Sequence, residues 1–313
     1  MDTSRTSSLS RRDALCGALA AGAGALLAPV LAAPAALPLI TKAIPSSGEK
    51  LPAIGLGTDK FDLDERDPIV AEIQRMQQLG GTVIDTAAAY GDSETLIGEA
   101  LAGSRDHMFI ATKLTAGGGG FRGGGVGGQA SFERSLMRLR TTKIDLLQVH
   151  NLDGVEALLP LLQQWKQAGR IRYFGITTSR VGQHAQMIDY LRKYPLDFVQ
   201  VDYSLDNRDA AKTLLSLAQD RHVAVLANVP FGFGSLLRQA QARKLPTWAA
   251  DIDVASWGQF LLKYVISHPA VTCAIPGSTQ VAHLTDNQAA ARGRLPDEAM
   301  RRQMERFWDA ASG

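Results

Sequence analysis

Eight short apolar runs, each followed by a longer segment of different periodicity, constrain this chain more than any other feature of its sequence. The runs are Ala53–Thr58, Thr82–Thr86, Met108–Lys113, Ile144–His150, Tyr173–Thr177, Phe198–Tyr203, Val223–Asn228 and Thr272–Pro276. They are rich in β-branched residues and nearly continuous in apolar character, the pattern of parallel strands covered on both faces. Helical patterns lie between them. Val155, Leu158, Leu159, Leu162 and Trp165 share one face, Gly169 is placed to end that helix, and Pro160 obscures where it starts. Ala211, Leu214, Leu215 and Leu217 repeat the pattern, as do Phe260, Leu261, Tyr264 and Val265. Eight strand–helix units predict an α/β fold closed as a (β/α)8 TIM barrel in one domain, more than an open sheet. The 313 residues suffice, since such a barrel takes about 250.

The first 36 residues stand outside this pattern. Ser10-Arg11-Arg12 precedes an Ala- and Gly-rich apolar stretch from Ala14 to Leu31, and Ala33-Pro34-Ala35 offers an A-x-A cleavage pattern. This predicts a twin-arginine signal peptide over 1–36 and a barrel over 37–313, exported folded by the twin-arginine machinery to the periplasm or beyond. The stretch is just long enough to span a bilayer, but its weakly apolar residues and cleavage pattern favour a removed signal over a stable membrane anchor. Asp13-Ala14-Leu15 before Cys16 is no lipobox. Cleavage would leave Cys273 alone, with no internal disulfide to form. A net charge of +2, without a basic tract of five or more residues, argues against a nucleic-acid partner. No metal site is expected.

Polar residues end three consecutive predicted strands. Asp85 closes Thr82-Val83-Ile84-Asp85, Lys113 closes Phe109-Ile110-Ala111-Thr112-Lys113, and His150 closes the run from Ile144. Tyr90 lies five residues beyond Asp85. Neighbouring strand ends in a barrel converge, and active sites sit at that end. An aspartate and a lysine there are costly to bury unless paired. An ammonium favours the charged form of a nearby phenol, so Lys113 is expected to lower the pKa of Tyr90. Such a tyrosine can give its proton to a carbonyl oxygen as hydride reaches the carbon, with His150 orienting or polarising the same oxygen. Taken singly, each of these residues has an ordinary structural role open to it: a cap, a solvated strand end, a satisfied polar group. The glycine-dominated segment Ala116–Gly128 follows the third run. It has high backbone entropy and reads either as a flexible surface connection or as an active-site loop.

Taken together, the motifs resemble the aldo/keto reductase family. They are Gly55-Leu56-Gly57-Thr58, Ile84-Asp85-Thr86-Ala87-Ala88-Ala89-Tyr90-Gly91, Ala111-Thr112-Lys113, Asp145-Leu146-Leu147-Gln148-Val149-His150, Phe198-Val199-Gln200-Val201-Asp202-Tyr203 and Ile275-Pro276-Gly277-Ser278, in family order from about residue 42 to 291. The resemblance implies a (β/α)8 barrel, a small-molecule carbonyl or alcohol substrate, NADP as cofactor with NAD possible, and a catalytic tetrad of Asp85, Tyr90, Lys113 and His150. It also implies cofactor contacts. Gly57, Thr58 and Asp85 would line the nicotinamide ribose, and Gln200 would bind the carboxamide. Thr177 and Thr178 stand where the family has Ser-Asn, and threonine supplies no amide. Asn228 occupies a position often aromatic in the family. Pro230, Phe231, Gly232 and Gly234 belong to the loop that passes the pyrophosphate. Gly277 and Ser278 would lie near the 2′-phosphate, His283 at a position often basic, and Asn287 at the adenine. A helix beginning near Thr279 would favour an anion. Between Gly277 and Ala291 there is no lysine or arginine, the side chains that phosphate recognition ordinarily uses, so weak discrimination between NADP and NAD is expected.

Two other functions fit the same barrel: a non-catalytic nucleotide-binding interaction protein, and an enzyme that retains its nucleotide and recycles it with paired substrates. The intact tetrad favours an oxidoreductase.

Overall fold

Parallel neighbours in a sheet are joined by crossovers, and helices or long connections outside the sheet supply each one here. The computed structural model describes residues 37–116 and 128–310. The expected signal peptide and nearly all of the glycine-rich segment lie outside the described residues. A hairpin of β1 (Thr41–Ala43) and β2 (Lys50–Pro52) comes first. The parallel strands are β3 (Leu56–Gly57), β4 (Val83–Asp85), β5 (Phe109–Leu114), β6 (Ile144–Val149), β7 (Ile171–Thr177), β8 (Phe198–Asp202), β9 (Ala224–Asn228) and β10 (Val271–Ala274). The helices are α1 (Arg66–Gln78), α2 (Ser93–Ala100), α3 (Gly128–Arg138), α4 (Val155–Gln167), α5 (His184–Lys193), α6 (Asp209–Lys212), α7 (Leu214–Asp220), α8 (Ser235–Ala240), α9 (Trp257–Ser267), α10 (Val281–Ala289) and α11 (Glu298–Ala310).

The strands pair in sequence order from β3 to β10. Bridges Ile54–Ala274 and Gly57–Gly277 join the two ends, and the Gly57 N–H donates to Pro276 O at 2.9 Å. Glycine is required at that seam: a Cβ on Gly57 would stand 2.9 Å from Ile275 O. The expected first strand therefore shrinks to Leu56–Gly57, because only those two residues pair in continuous register with β4.

Side chains alternate along each strand, and the inward ones are apolar at the N-terminal end. Val83, Phe109, Tyr173 and Phe198 form one cluster with Ile44 and Leu51, so the hairpin covers that mouth of the barrel. Further along the same inward faces, beyond Ala111 on β5, Leu146 on β6 and Phe198 on β8, the positions turn polar, with Lys113, Gln148 and Gln200. The larger cluster lies between strands and helices.

Several expected boundaries moved. Helix α4 starts at Val155 and runs through Pro160. Pro160 and Glu156 are both exposed, so water can meet the Glu156 carbonyl that proline leaves without a donor. Gly169, at φ +71°, ends the helix with its N–H on Lys166 O. The pattern at Ala211–Leu217 is two helices broken at Thr213. Helix α10 begins at Val281 instead of near Thr279, because Gln280 is still extended (φ −131°, ψ 128°) and serves as the N-cap, its N–H bonded to Ser278 Oγ at 3.2 Å. Among the described residues no helix is long and apolar enough to cross a membrane.

Candidate active site

Lys113 and Asp85 end adjacent strands on the same inward face. Lys113 Nζ donates to Asp85 Oδ2 at 2.6 Å and to Thr86 O at 2.7 Å. Both side chains are almost fully buried, at 1% and 4% exposure. Burial pulls the Lys113 ammonium down, but the Asp85 carboxylate and the Tyr90 phenol beside it outweigh that and hold Lys113 above its ordinary pKa. The loop after β4 brings Tyr90 over this pair. The Ala88 N–H bonds Lys113 O, and the Tyr90 N–H closes a turn on Ala87 O. Lys113 Nζ lies 5.2 Å from the Tyr90 ring centroid. The His150 ring meets Tyr90 edge-on at 5.7 Å. The four residues that the sequence placed at strand ends or just beyond are thus one constellation.

The charge balance differs from the sequence expectation. Burial pushes the Tyr90 phenol above its ordinary pKa, Lys113 pulls it down by less, and Asp85 and Asp59 add to the rise. Lys113 acts in the expected sense but loses to desolvation, so Tyr90 keeps its proton at neutral pH. Burial and the Lys113 charge lower His150 to about 3. It is a neutral imidazole.

A cavity of about 590 Å³ opens beside this group, across the C-terminal ends of β8, β9, β10 and β3. Asp85, Tyr90 and Gln200 line it together with Asn228, Val229, Pro230 and Phe231 on one wall and Gly277, Ser278, Thr279 and His283 on another. Gln200 is held between Asp85 Oδ2 (3.4 Å) and Gln148 Nε2 (3.0 Å). Thr58 Oγ1 donates to Asp85 O and accepts from Ser93, tying the end of β3 to that of β4. Val229 has φ +51° and Phe233 φ +53°. A β-branched residue there is strained, and the strain falls where the chain leaves β9 to form the cavity wall.

A family model described as "Aldo/keto reductase family" matches residues 53–306. The chain belongs to the aldo/keto reductase family. Methylglyoxal reductase YeaE of Escherichia coli is 30% identical over 262 residues, covering 81% of this chain and 90% of its own. An aldo/keto reductase from Klebsiella pneumoniae, solved with NADP and acetate, superimposes with a TM-score of 0.71 at 27% identity, covering 83% of this chain and 93% of that one. Another, solved with NADPH, gives 0.72 at 26% identity, covering 87% and 96%. Members of this family are NAD(P)H-dependent oxidoreductases, and this chain is one of them.

The reductase cavity suits a nicotinamide nucleotide. Its volume lies within the range of about 300–1,000 Å³ usual for ligand pockets. Two of its lining residues carry buried oxygens without a hydrogen-bond partner, Asp85 Oδ1 and Asn228 Oδ1, and ribose hydroxyls or a carboxamide NH2 could satisfy them. Of the residues the sequence marked for the cofactor, Gly57, Thr58, Asp85, Gln200, Asn228, Pro230, Phe231, Gly234, Gly277, Ser278 and His283 line the cavity. Thr177, Thr178, Gly232 and Asn287 do not.

The two threonines are engaged elsewhere. Thr177 Oγ1 accepts from Asn151 N at 3.1 Å, and Thr178 Oγ1 donates to Gln183 Oε1, whose amide donates to Asn151 O at 3.2 Å. They hold the turn that carries His150, and Ser179 forms the cavity wall in their place. Gly232, at φ +56°, shapes the loop: a Cβ there would meet Ser235 Oγ at 2.6 Å. Asn287 is buried on α10. Sequence reading also passed over Asp59 and Lys60. Lys60 stands on the cavity rim, 79% exposed and 3.8 Å from Asp59, so a basic group does reach the site from outside Gly277–Ala291. Its place directly after Gly57-Thr58 was the available signal.

Proposed function

We propose that this enzyme reduces a small aldehyde or ketone with NADPH or NADH, Tyr90 giving the proton to the carbonyl oxygen. The reading rests on one observation: a buried Lys113–Asp85 pair, 2.6 Å apart, beneath a protonated Tyr90 that His150 flanks. When bound, the nicotinamide supplies hydride. The chain's own residues do the rest. Asp85 Oδ1 and Gln200 hold the nicotinamide end of the cavity. Tyr90 Oη donates its proton to the substrate oxygen, and the Lys113 ammonium stabilises the phenolate left behind. Asp85 keeps that ammonium charged and aimed. Neutral His150 directs the same oxygen by hydrogen bonding. The methylglyoxal named for the E. coli relative is a natural first substrate to assay.

Tyr90→Phe tests the assignment. The ring remains to pack, so folding and nucleotide binding are retained. Carbonyl reduction falls about 10²–10⁴-fold, the usual worth of general acid catalysis. Full activity on a substrate that the wild type reduces would remove Tyr90 as the acid.

Export of the folded enzyme to the periplasm by the twin-arginine route is supported by Arg11-Arg12, the apolar stretch Ala14–Leu31 and Ala33-Pro34-Ala35. Weak discrimination between NADP and NAD is supported by the absence of lysine and arginine from Gly277 to Ala291, with the exposed Lys60 as a modest counterweight.

A further inference from the structure

A carboxylate lies buried under the wall where the adenosine end of the nucleotide would rest. Glu72 sits on α1 among Ile69, Ile73 and Met76 and, like them, is 0% exposed. That helix face is otherwise apolar, and an unpartnered carboxylate on it is costly. Neither Glu72 oxygen has a hydrogen-bond partner, and Glu72 forms no ion pair among the described residues. Arg75, one turn along, turns instead to Thr285 (3.5 Å) and Gln78 (3.2 Å). Burial lifts the Glu72 carboxyl to about 7 against the pull of the nearby Ser278 hydroxyl and Gln280 N–H. Those two groups are spent on each other: Ser278 Oγ accepts from Gln280 N and donates to Gln280 O, each at 3.2 Å.

On their other side, Ser278 and Thr279 line the cavity. The reacting end of the nucleotide belongs at Tyr90 and Asp85, which leaves this wall for the remote end. The first free N–H groups of α10, from Val281, attract an anion here. Glu72 does the opposite.

We propose that Glu72 is a selectivity residue that disfavours an adenosine 2′-phosphate and leaves an adenosine 2′-hydroxyl unaffected, lowering affinity for NADP(H) relative to NAD(H). The inference rests on the nucleotide reading of the cavity. Glu72 is sealed from the cavity, so it acts through the Ser278–Gln280 segment and through its charge. The other charged or titratable groups facing this region are Arg75 on α1, which reaches α10 at Thr285, His283 on α10, and Asp59 and Lys60 on the loop after β3.

The test is a fluorescence titration of NADPH and of NADH into wild type, Glu72→Gln and Glu72→Met at pH 8 and low salt, with folding checked by near-UV circular dichroism. Glutamine keeps the shape and methionine removes the polarity, so one folded variant suffices. Both substitutions relieve a buried charge. NADPH affinity should rise at least tenfold, about 1.4 kcal/mol, while NADH affinity stays within twofold. An unchanged NADPH:NADH ratio, whether both affinities hold or move together, would reduce Glu72 to a packing residue and overturn the proposal. If wild type and variants alike bind neither nucleotide, the nucleotide reading itself fails and takes this inference with it.

Discussion

Lys113→Met should destabilise the enzyme more than almost any other single change. The substitution removes the cation 2.6 Å from Asp85 and leaves a carboxylate only 4% exposed. Gln200 Nε2, at 3.4 Å, is then the one remaining donor recorded on Asp85 Oδ2, and Oδ1 already has none. Breaking a buried pair by removing one partner costs about 3–5 kcal/mol. For a domain of this size that lowers Tm by roughly 6–20 °C, at about 2–4 °C per kcal/mol. Asp85→Asn combined with Lys113→Met removes both charges at nearly constant shape and should recover most of the loss. The pH dependence has a definite sign. Burial already holds the Asp85 carboxyl above its unfolded value of about 3.9 against the pull of Lys113, and removing Lys113 raises it further. The folded state then binds more protons between those values, so the deficit grows as pH rises and is larger at pH 8 than at pH 5. Denaturant and thermal unfolding at both pH values measure it. A single mutant within 1 kcal/mol of wild type at pH 8, or a double mutant no more stable than the single, would refute the account of the pair.

Other outcomes follow from the same geometry. Because burial holds the Tyr90 phenol above its ordinary value of about 10, the rate of carbonyl reduction should stay level to about pH 9 and fall only as Tyr90 ionises; a basic limb near pH 7 would contradict the protonated donor. Lys60→Ala should weaken NADPH binding a few-fold and NADH binding hardly at all, with the difference fading at high salt, as expected of an exposed charge. Changing Arg11 and Arg12 together to Lys should leave precursor in the cytoplasm, still folded. Cell fractionation showing normal periplasmic accumulation would exclude the twin-arginine route.

Much of this enzyme was determined by local pattern. Parallel strands buried on both faces must be continuous apolar runs, so β4 to β10 could be read directly, and the helical stripe of α4 could be read through Pro160. The convergence of Asp85, Lys113 and His150 was legible for a related reason: they are polar residues ending apolar runs, and barrel geometry requires such ends to converge. What depended on neighbours distant in sequence was decided only by the tertiary structure. The hairpin that covers the barrel floor has strands of three residues each, too short to carry a period. Thr177 and Thr178 were assigned to the cofactor by position, but their hydroxyls bond the turn bearing His150, a partnership set by how β7 packs on β6. The direction of the Tyr90 shift required the competition between desolvation and the Lys113 charge, and burial is a property of the assembled barrel. Glu72 shows the division most clearly. In the sequence it is one more glutamate on an amphipathic helix. Only the packing of α1 against α10 removes its water without supplying a partner, because whether a charge is solvated depends on what covers it.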